Sequence, residues 1–259
     1  MNKSDKKDFF QKMLSILFWL ALWQAVCVIV GRDVLIASPA DTFNALIEMF
    51  QTTVFYKTIA MSFVRVACGF FLGMAVGTVA AVITCANKTI YMLLKPAINI
   101  IKSTPVASFI IIALAWMKSG QVPVFISFIA TAPIVWGNVS EGIKSVDEKI
   151  LEMAKIFEYS FSVKLKKIYI PSIMPFMRSA IISGAGFAWK SGVAAEVIGS
   201  PKYALGSKLY DAKVYLETPQ LFAWTAVIII LSIIFEKIVI KLVNAAERKK
   251  ETKNEKTCF

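Results

Sequence analysis

Residues 150–175 read ILEMAKIFEYSFSVKLKKIYIPSIMP. Ile150, Met153, Ala154 and Phe157 recur at i, i+3, i+4 and i+7, which is one face of a helix. Asp147, Glu148, Glu152, Lys155 and Glu158 cover the remainder. Ser160 or Ser162 is placed to cap a second short helix running through Ile168, and Pro171 and Pro175 are expected to break the chain after it. Six lysines, Lys144, Lys149, Lys155, Lys164, Lys166 and Lys167, flank or occupy the stretch. It reads as two amphipathic helices that either rest on a lipid surface or dock into a partner.

The chain on either side is apolar. Of 259 residues, 57% are hydrophobic and 18% charged, and mean hydropathy is +0.65. A soluble domain of this size carries more charge, so the composition points to a membrane protein. Six apolar segments stand out, at about 13–31, 58–85, 93–117, 122–138, 174–198 and 220–242. About 20 helical residues cross a bilayer core. Pro105 and Pro133 are expected to kink the third and fourth segments. Trp19, Trp23, Trp116, Trp136 and Trp224 lie nearer the segment ends, as interfacial aromatics do. The first segment follows Lys3, Lys6, Lys7 and Lys12 with no A-x-A site after it, and is expected to be a retained anchor.

Charge sets the orientation. With the N-terminus inside, connections 1–12, 86–95, 138–172 and 237–259 carry nineteen Lys and Arg, and the opposite connections carry six. That asymmetry predicts an all-α membrane protein with six transmembrane helices and both termini cytoplasmic. The chain is expected to form one domain: a cytoplasmic N-terminus 1–12, a six-span core 13–242 with loop 142–172 between the fourth and fifth spans, and a frayed, solvated tail 243–259. The net charge of +12 lies in tails and loops rather than on one soluble face, so a membrane, and not nucleic acid, accounts for it. Cys27, Cys68, Cys85 and Cys258 show no CxxC spacing and read as reduced packing residues. Histidine is absent. No metal site, cofactor or catalytic residue is expected.

With this topology in place, the opening stretch resembles the cytoplasmic motif of bacterial ABC importer permeases: Glu-Ala-Ala, three residues, Gly, nine residues, then Ile-x-Leu-Pro. Here Glu152-Met153-Ala154 is followed by Glu158 at the glycine position and then by Ile168-Tyr169-Ile170-Pro171. Glycine permits a tight turn, so Glu158 is expected to open or shift it. SFVRVACGFFLGMAVG at 62–77, LKPAINIIKSTPVASFI at 94–110, APIVWGNVSEGIKSVDEKILEMAK at 132–155 and AWKSGVAAEVIGS at 188–200 resemble spans of the permeases for sulfonates, taurine, nitrate and thiamine precursors. The similarity covers about residues 35–245.

The resemblance implies that the stretch is a coupling helix seated in an ABC ATPase subunit, with Glu152, Ala154, Phe157, Glu158 and Tyr159 as its contacts. It also implies two ATPase copies, a second permease subunit (most simply an identical one), an extracytoplasmic solute-binding protein and a place in the bacterial cytoplasmic membrane. The solute would be a small anion such as a sulfonate, taurine or nitrate, or a pyrimidine precursor of thiamine.

Within the spans, Gly69, Gly73 and Gly77 are expected to let helices approach inside the subunit. Arg65, Lys190 and Glu196 are charges in apolar surroundings, which cost roughly 2.5–3.5 kcal/mol each at mid-bilayer and so face protein or water. Trp189, Lys190 and Glu196 are candidates to line a solute path, with Lys190 suited to an anion. Structural pairing or snorkelling is the other reading for Arg65 and Glu196.

No G-x-x-x-x-G-K-[ST] occurs, so ATP hydrolysis is expected in a separate chain. A membrane enzyme would need a nucleophile–base pair, paired carboxylates or a metal set, and none is evident. The alternative is a stand-alone secondary transporter, which would show related halves and broken helices around an ion site. A component of an energy-coupling vitamin importer would carry Ala-Arg-Gly-like motifs, which are missing here.

Overall fold

A computed structural model describes residues 3–32 and 34–255, with side chains at 10, 11, 13–32 and 34–245. The expectations for Cys258 and for the side chains of Lys3, Lys6, Lys7 and Lys12 fall outside these residues. Among the described residues every regular element is helical. The helix α1 covers Lys3–Val30 and α2 covers Pro39–Phe50. Ser38 caps α2, its hydroxyl accepting from the Asp41 N–H, with Pro39 at the first helical position. The long helix α3, Thr53–Ala86, ends at Asn87, whose side chain accepts from the Thr89 and Ile90 N–H groups and starts α4, Lys88–Ser103.

The third apolar segment is not one kinked span. Thr104 is extended, at φ −81° and ψ 132°, and the chain turns by 105° into α5, Val106–Trp116. Pro105 causes this, because it lacks the N–H that would continue α4 and pushes Thr104 out of the helical region. Pro133, by contrast, lies inside the single helix α6, Val122–Lys144. After the short α7, Glu148–Ile156, and α8, Phe161–Lys164, the expected break at Pro171 and Pro175 does not occur. A π turn at Leu165–Tyr169 leads straight into α9, Ile170–Gly199. The Ile170 N–H bonds back to Leu165 O, and this widened turn makes room for the ring of Pro171, which has no N–H to donate. The helix α10, Leu205–Val214, and α11, Thr218–Glu255, complete the fold. Part of the tail expected to fray therefore has a helical backbone.

Met13–Val30 in α1, and α3 and α6, are each long and apolar enough to cross a bilayer, and α4 with α5 adds a fourth if the bent pair counts as one span. The helix α6 lies at the centre and packs along α3 and α9, while α2, α10 and α11 close the far side. The glycines of α3 make the closest approach possible. A Cβ at Gly73 would lie 2.7 Å from Thr131 Cβ, and one at Gly77 would lie 2.6 Å from Ala132 O. The Gly69, Gly73 and Gly77 stripe thus packs within the subunit, as expected. Phe235 fills the centre, its ring 5.4–5.7 Å from those of Phe63, Phe70 and Trp189. Trp136 and Trp224 are buried rather than interfacial, and Trp136 donates to Thr84 Oγ1 at 2.9 Å. The helix α1 touches the rest near its C-terminal end, where Trp23 donates to Ala37 O and stacks on Phe222. Leu17, Phe18, Trp19 and Ile29 face outward, as a lipid-facing helix requires.

Candidate functional site

The loop between α6 and α9 is held by a very small core. Val146, Ala154 and Ile168 are buried, with Leu151 and Tyr169 packed against them. Asp147 caps α7 by accepting from the Lys149 N–H at 2.9 Å. Gly142 brings α6 onto α9, since a Cβ there would lie 3.1 Å from Ile173 Cα.

The end of α7 decides what the loop presents. Helix geometry stops at Ile156, so Phe157 is the C-cap. Tyr159 N–H bonds to Ala154 O at 2.9 Å and Glu158 N–H to Lys155 O at 3.1 Å. This is a Schellman motif, with Glu158 at the position that takes left-handed backbone, at φ +48°. The expectation that Glu158 would open or shift the turn is therefore corrected: the tight turn is kept, and Glu158 adopts the conformation glycine favours. That conformation costs a non-glycine residue about 1–2 kcal/mol. Glu158→Gly is accordingly expected to stabilise the loop by about 1 kcal/mol, read as slower amide exchange at Glu158 and Tyr159.

The four-residue face read from periodicity is divided. Ala154 turns into the small core, whereas Ile150, Met153 and Phe157 remain exposed. Ile156 is 79% exposed, Phe157 66% and Phe161 76%. Glu152, Glu158 and Tyr159 are also on the surface, and the Phe157 and Tyr159 rings lie 6.2 Å apart. Periodicity missed Ile156 because it lies off the face of Ile150, Met153, Ala154 and Phe157, and missed Phe161 because it begins the next helix. An apolar and aromatic cluster of this kind marks a binding surface.

Inside the spans, Glu196 is fully buried. Its Oε2 accepts from Ser62 Oγ at 2.8 Å and from the Gly206 N–H at 3.2 Å. Arg65 Nη1 lies 3.6 Å from Glu196 Oε1. The guanidinium also donates to Tyr203 O and Lys202 O, at 3.1 and 3.0 Å. Arg65 and Glu196 are thus paired rather than snorkelling, and they tie α3 to the turn between α9 and α10. Trp189 is buried among Phe63 and Phe235. Lys190 is exposed on the other side of α9. The three residues singled out for a path are therefore not on one surface, and Lys190 alone of them faces outward.

Two further charges escaped sequence reading. The helix α11 carries Glu236, whose Oε1 would meet a Cβ placed at Gly186 of α9 at 2.7 Å. An acid inside an apolar run was the available signal. Lys102, just before the α4–α5 bend, lines a cavity with Thr104 and Phe187. Its position in an apolar segment was the signal there.

Comparison with known proteins matches this geometry to a family. The family described as "Binding-protein-dependent transport system inner membrane component" matches residues 69–250. A Bacillus subtilis permease named for aliphatic sulfonates is 26% identical over 236 residues, covering 89% of this chain and 82% of its own. The bicarbonate transport system permease CmpB of Synechococcus elongatus is 25% identical over 61% of this chain and 57% of its own. Among solved structures, a bacterial ABC transporter involved in the import of alginate aligns with a TM-score of 0.64 at 12% identity, covering 94% of this chain and 98% of that one. The inward-facing MetNI methionine ABC transporter aligns with a TM-score of 0.54 at 18% identity, over 73% and 93%. These structural likenesses speak to the fold.

Proposed function

We propose that this chain, which belongs to the binding-protein-dependent transport system inner membrane components, is the permease subunit of an ABC importer and is driven by a separate ATPase through the loop around α7. Membership makes it a multi-pass membrane transport subunit and not an enzyme. The finer reading is a six-span core with both termini cytoplasmic in a bacterial cytoplasmic membrane, the nineteen-to-six asymmetry of Lys and Arg placing the loop inside.

The observation that carries the coupling role is the exposure of Ile156, Phe157 and Phe161 on a loop with its own small core. Left in water, each such side chain forgoes roughly 1.5–3 kcal/mol of burial. A partner groove recovers it, and a loop with its own core moves as one body when the groove moves. Two ATPase copies, a second permease chain (an identical one is simplest) and an external binding protein complete the assembly. ATP-driven closure of the ATPases shifts the population between inward- and outward-facing states.

The solute is a small anion such as a sulfonate, taurine or nitrate, or a thiamine pyrimidine precursor. The relatives named for sulfonates and bicarbonate support the anion. Lys190 borders the path, with Trp189 and Glu196 shaping α9 from behind. A pull-down from solubilised membranes tests the reading: the intact chain is expected to retain a P-loop ATPase, and Glu152→Arg with Phe157→Ala to lose it. An intact chain recovered alone, stable and without ATPase, sinks the importer reading and favours a secondary carrier.

A further inference from the structure

Lysines from α4 and from the end of α6 form a row on aromatic rings. Tyr91 and Trp136 stack with centroids 5.9 Å apart and planes 23° from parallel. Lys144 Nζ lies 4.8 Å and Lys95 Nζ 5.5 Å from the Tyr91 centroid, and Lys102 Nζ lies 5.8 Å from that of Trp136. Three ammonium groups thus share two stacked rings. Among the described residues no ion pair joins a carboxylate to any of these three lysines. Two like charges on one ring repel, and the rings recover only about 0.5–1 kcal/mol per exposed contact. The arrangement lacks a negative charge.

The far end of the row opens into a cavity of about 330 Å³ at the α4–α5 bend. Its walls include Lys102, Thr104, Val106, Phe109, Pro133 and Phe187. They are largely apolar, with Lys102 as the cation. Lys102 is exposed at this cavity, and the apolar walls on one side of its ammonium strengthen its attraction for an anion relative to bulk water. The other end of the row, at Lys95 and Lys144, lies toward the connections that positive charge places in the cytoplasm.

We infer that the cavity at the α4–α5 bend holds the acid group of a small oxoanion, with Lys102 as its counter-charge, and that Lys95 and Lys144 over Tyr91 extend the positive potential from that site toward the cytoplasmic side. This rests on the permease reading and narrows its solute to an anion. The apolar walls suit a short hydrocarbon or compact anion, and Phe187 brings α9 to the site one turn before Lys190. The same chemistry is offered by the headgroup of an anionic phospholipid, so the test separates the two sources.

The full chain, co-expressed with its ATPase and held in phosphatidylcholine nanodiscs at constant ionic strength, is titrated with ethanesulfonate, bicarbonate and nitrate. Ethanesulfonamide serves as the neutral isostere. Intrinsic fluorescence is the readout, since Trp136 lies beside Lys102. At least one anion is expected to saturate the signal where the isostere does not. Lys102→Gln is expected to weaken that binding about tenfold or more, the scale of one lost charge contact, and Lys102→Arg to retain it. Equal response to the isostere, no saturable response to any of the anions, or unchanged binding in Lys102→Gln overturns the site. If phosphatidylglycerol itself produces the Lys102-dependent change and blocks the anions, the site belongs to lipid and the solute assignment falls. Retention of the ATPase is scored on the same samples. An intact chain that keeps its ATPase but binds no anion defeats this inference alone, whereas one that keeps no ATPase defeats the permease reading beneath it.

Discussion

Arg65→Leu is expected to destabilise the folded chain by about 3–5 kcal/mol, the usual cost of leaving one member of a buried ion pair without its partner. Glu196 has no exposure, so it cannot turn to water when the guanidinium is removed. Ser62 and Gly206 still donate to Oε2, but Oε1 has no other partner. Arg65 also holds the carbonyls of Lys202 and Tyr203. That turn contains two non-glycine residues in left-handed backbone, Ser200 at φ +41° and Tyr203 at φ +53°. Such residues cost of order 1–3 kcal/mol each and persist only where their surroundings hold them.

Thermal unfolding in detergent measures the effect. Glu196→Leu alone should be comparably harmful, because it strands Arg65 and removes the acceptor for Ser62 and Gly206. The double variant, Arg65→Leu with Glu196→Leu, should fall well short of the sum of the singles, since the uncompensated charge is gone. Single variants with unchanged midpoints, or strictly additive losses, would show that the pair does not tie α3 to the α9–α10 turn.

The second large effect concerns the loop. Ile156→Asp combined with Phe161→Asp is expected to abolish ATP-driven uptake while leaving the permease's own unfolding midpoint nearly unchanged. Central apolar anchors of an interface typically contribute 2 kcal/mol or more each, so losing two weakens docking by roughly a thousandfold. The fold is spared because both side chains already lie outside it, at 79% and 76% exposure. Ala154→Asp provides the contrast. Ala154 is fully buried in the loop core, so that variant should unfold the loop itself and speed amide exchange within it. Uptake that survives the exposed pair would remove the loop from the coupling mechanism.

The sequence by itself determined the membrane class and the short amphipathic helix at the start of the loop, and it marked Pro105 as a point where the third segment departs from a straight helix, though not the size of the turn there. Each of these rests on composition or on contacts within a few residues, where periodicity, proline and caps act directly. The GxxxG stripe was legible for the same reason, because small side chains at that spacing have few other uses.

Only the tertiary structure decided which way the charged and aromatic residues face. Ser62 and Glu196 are 134 positions apart, and no local pattern announces their hydrogen bond. Ala154 points inward and Phe157 outward because α7 ends one residue before the periodic face does. Glu158 accepts left-handed backbone because the Schellman bonds on either side of it fix the turn. Lys102 gains its significance from a cavity built by α5, α6 and α9. Periodicity records which positions share one helix face, but the free energy of burying that face is set by the neighbour it meets, and the neighbour comes from elsewhere in the chain.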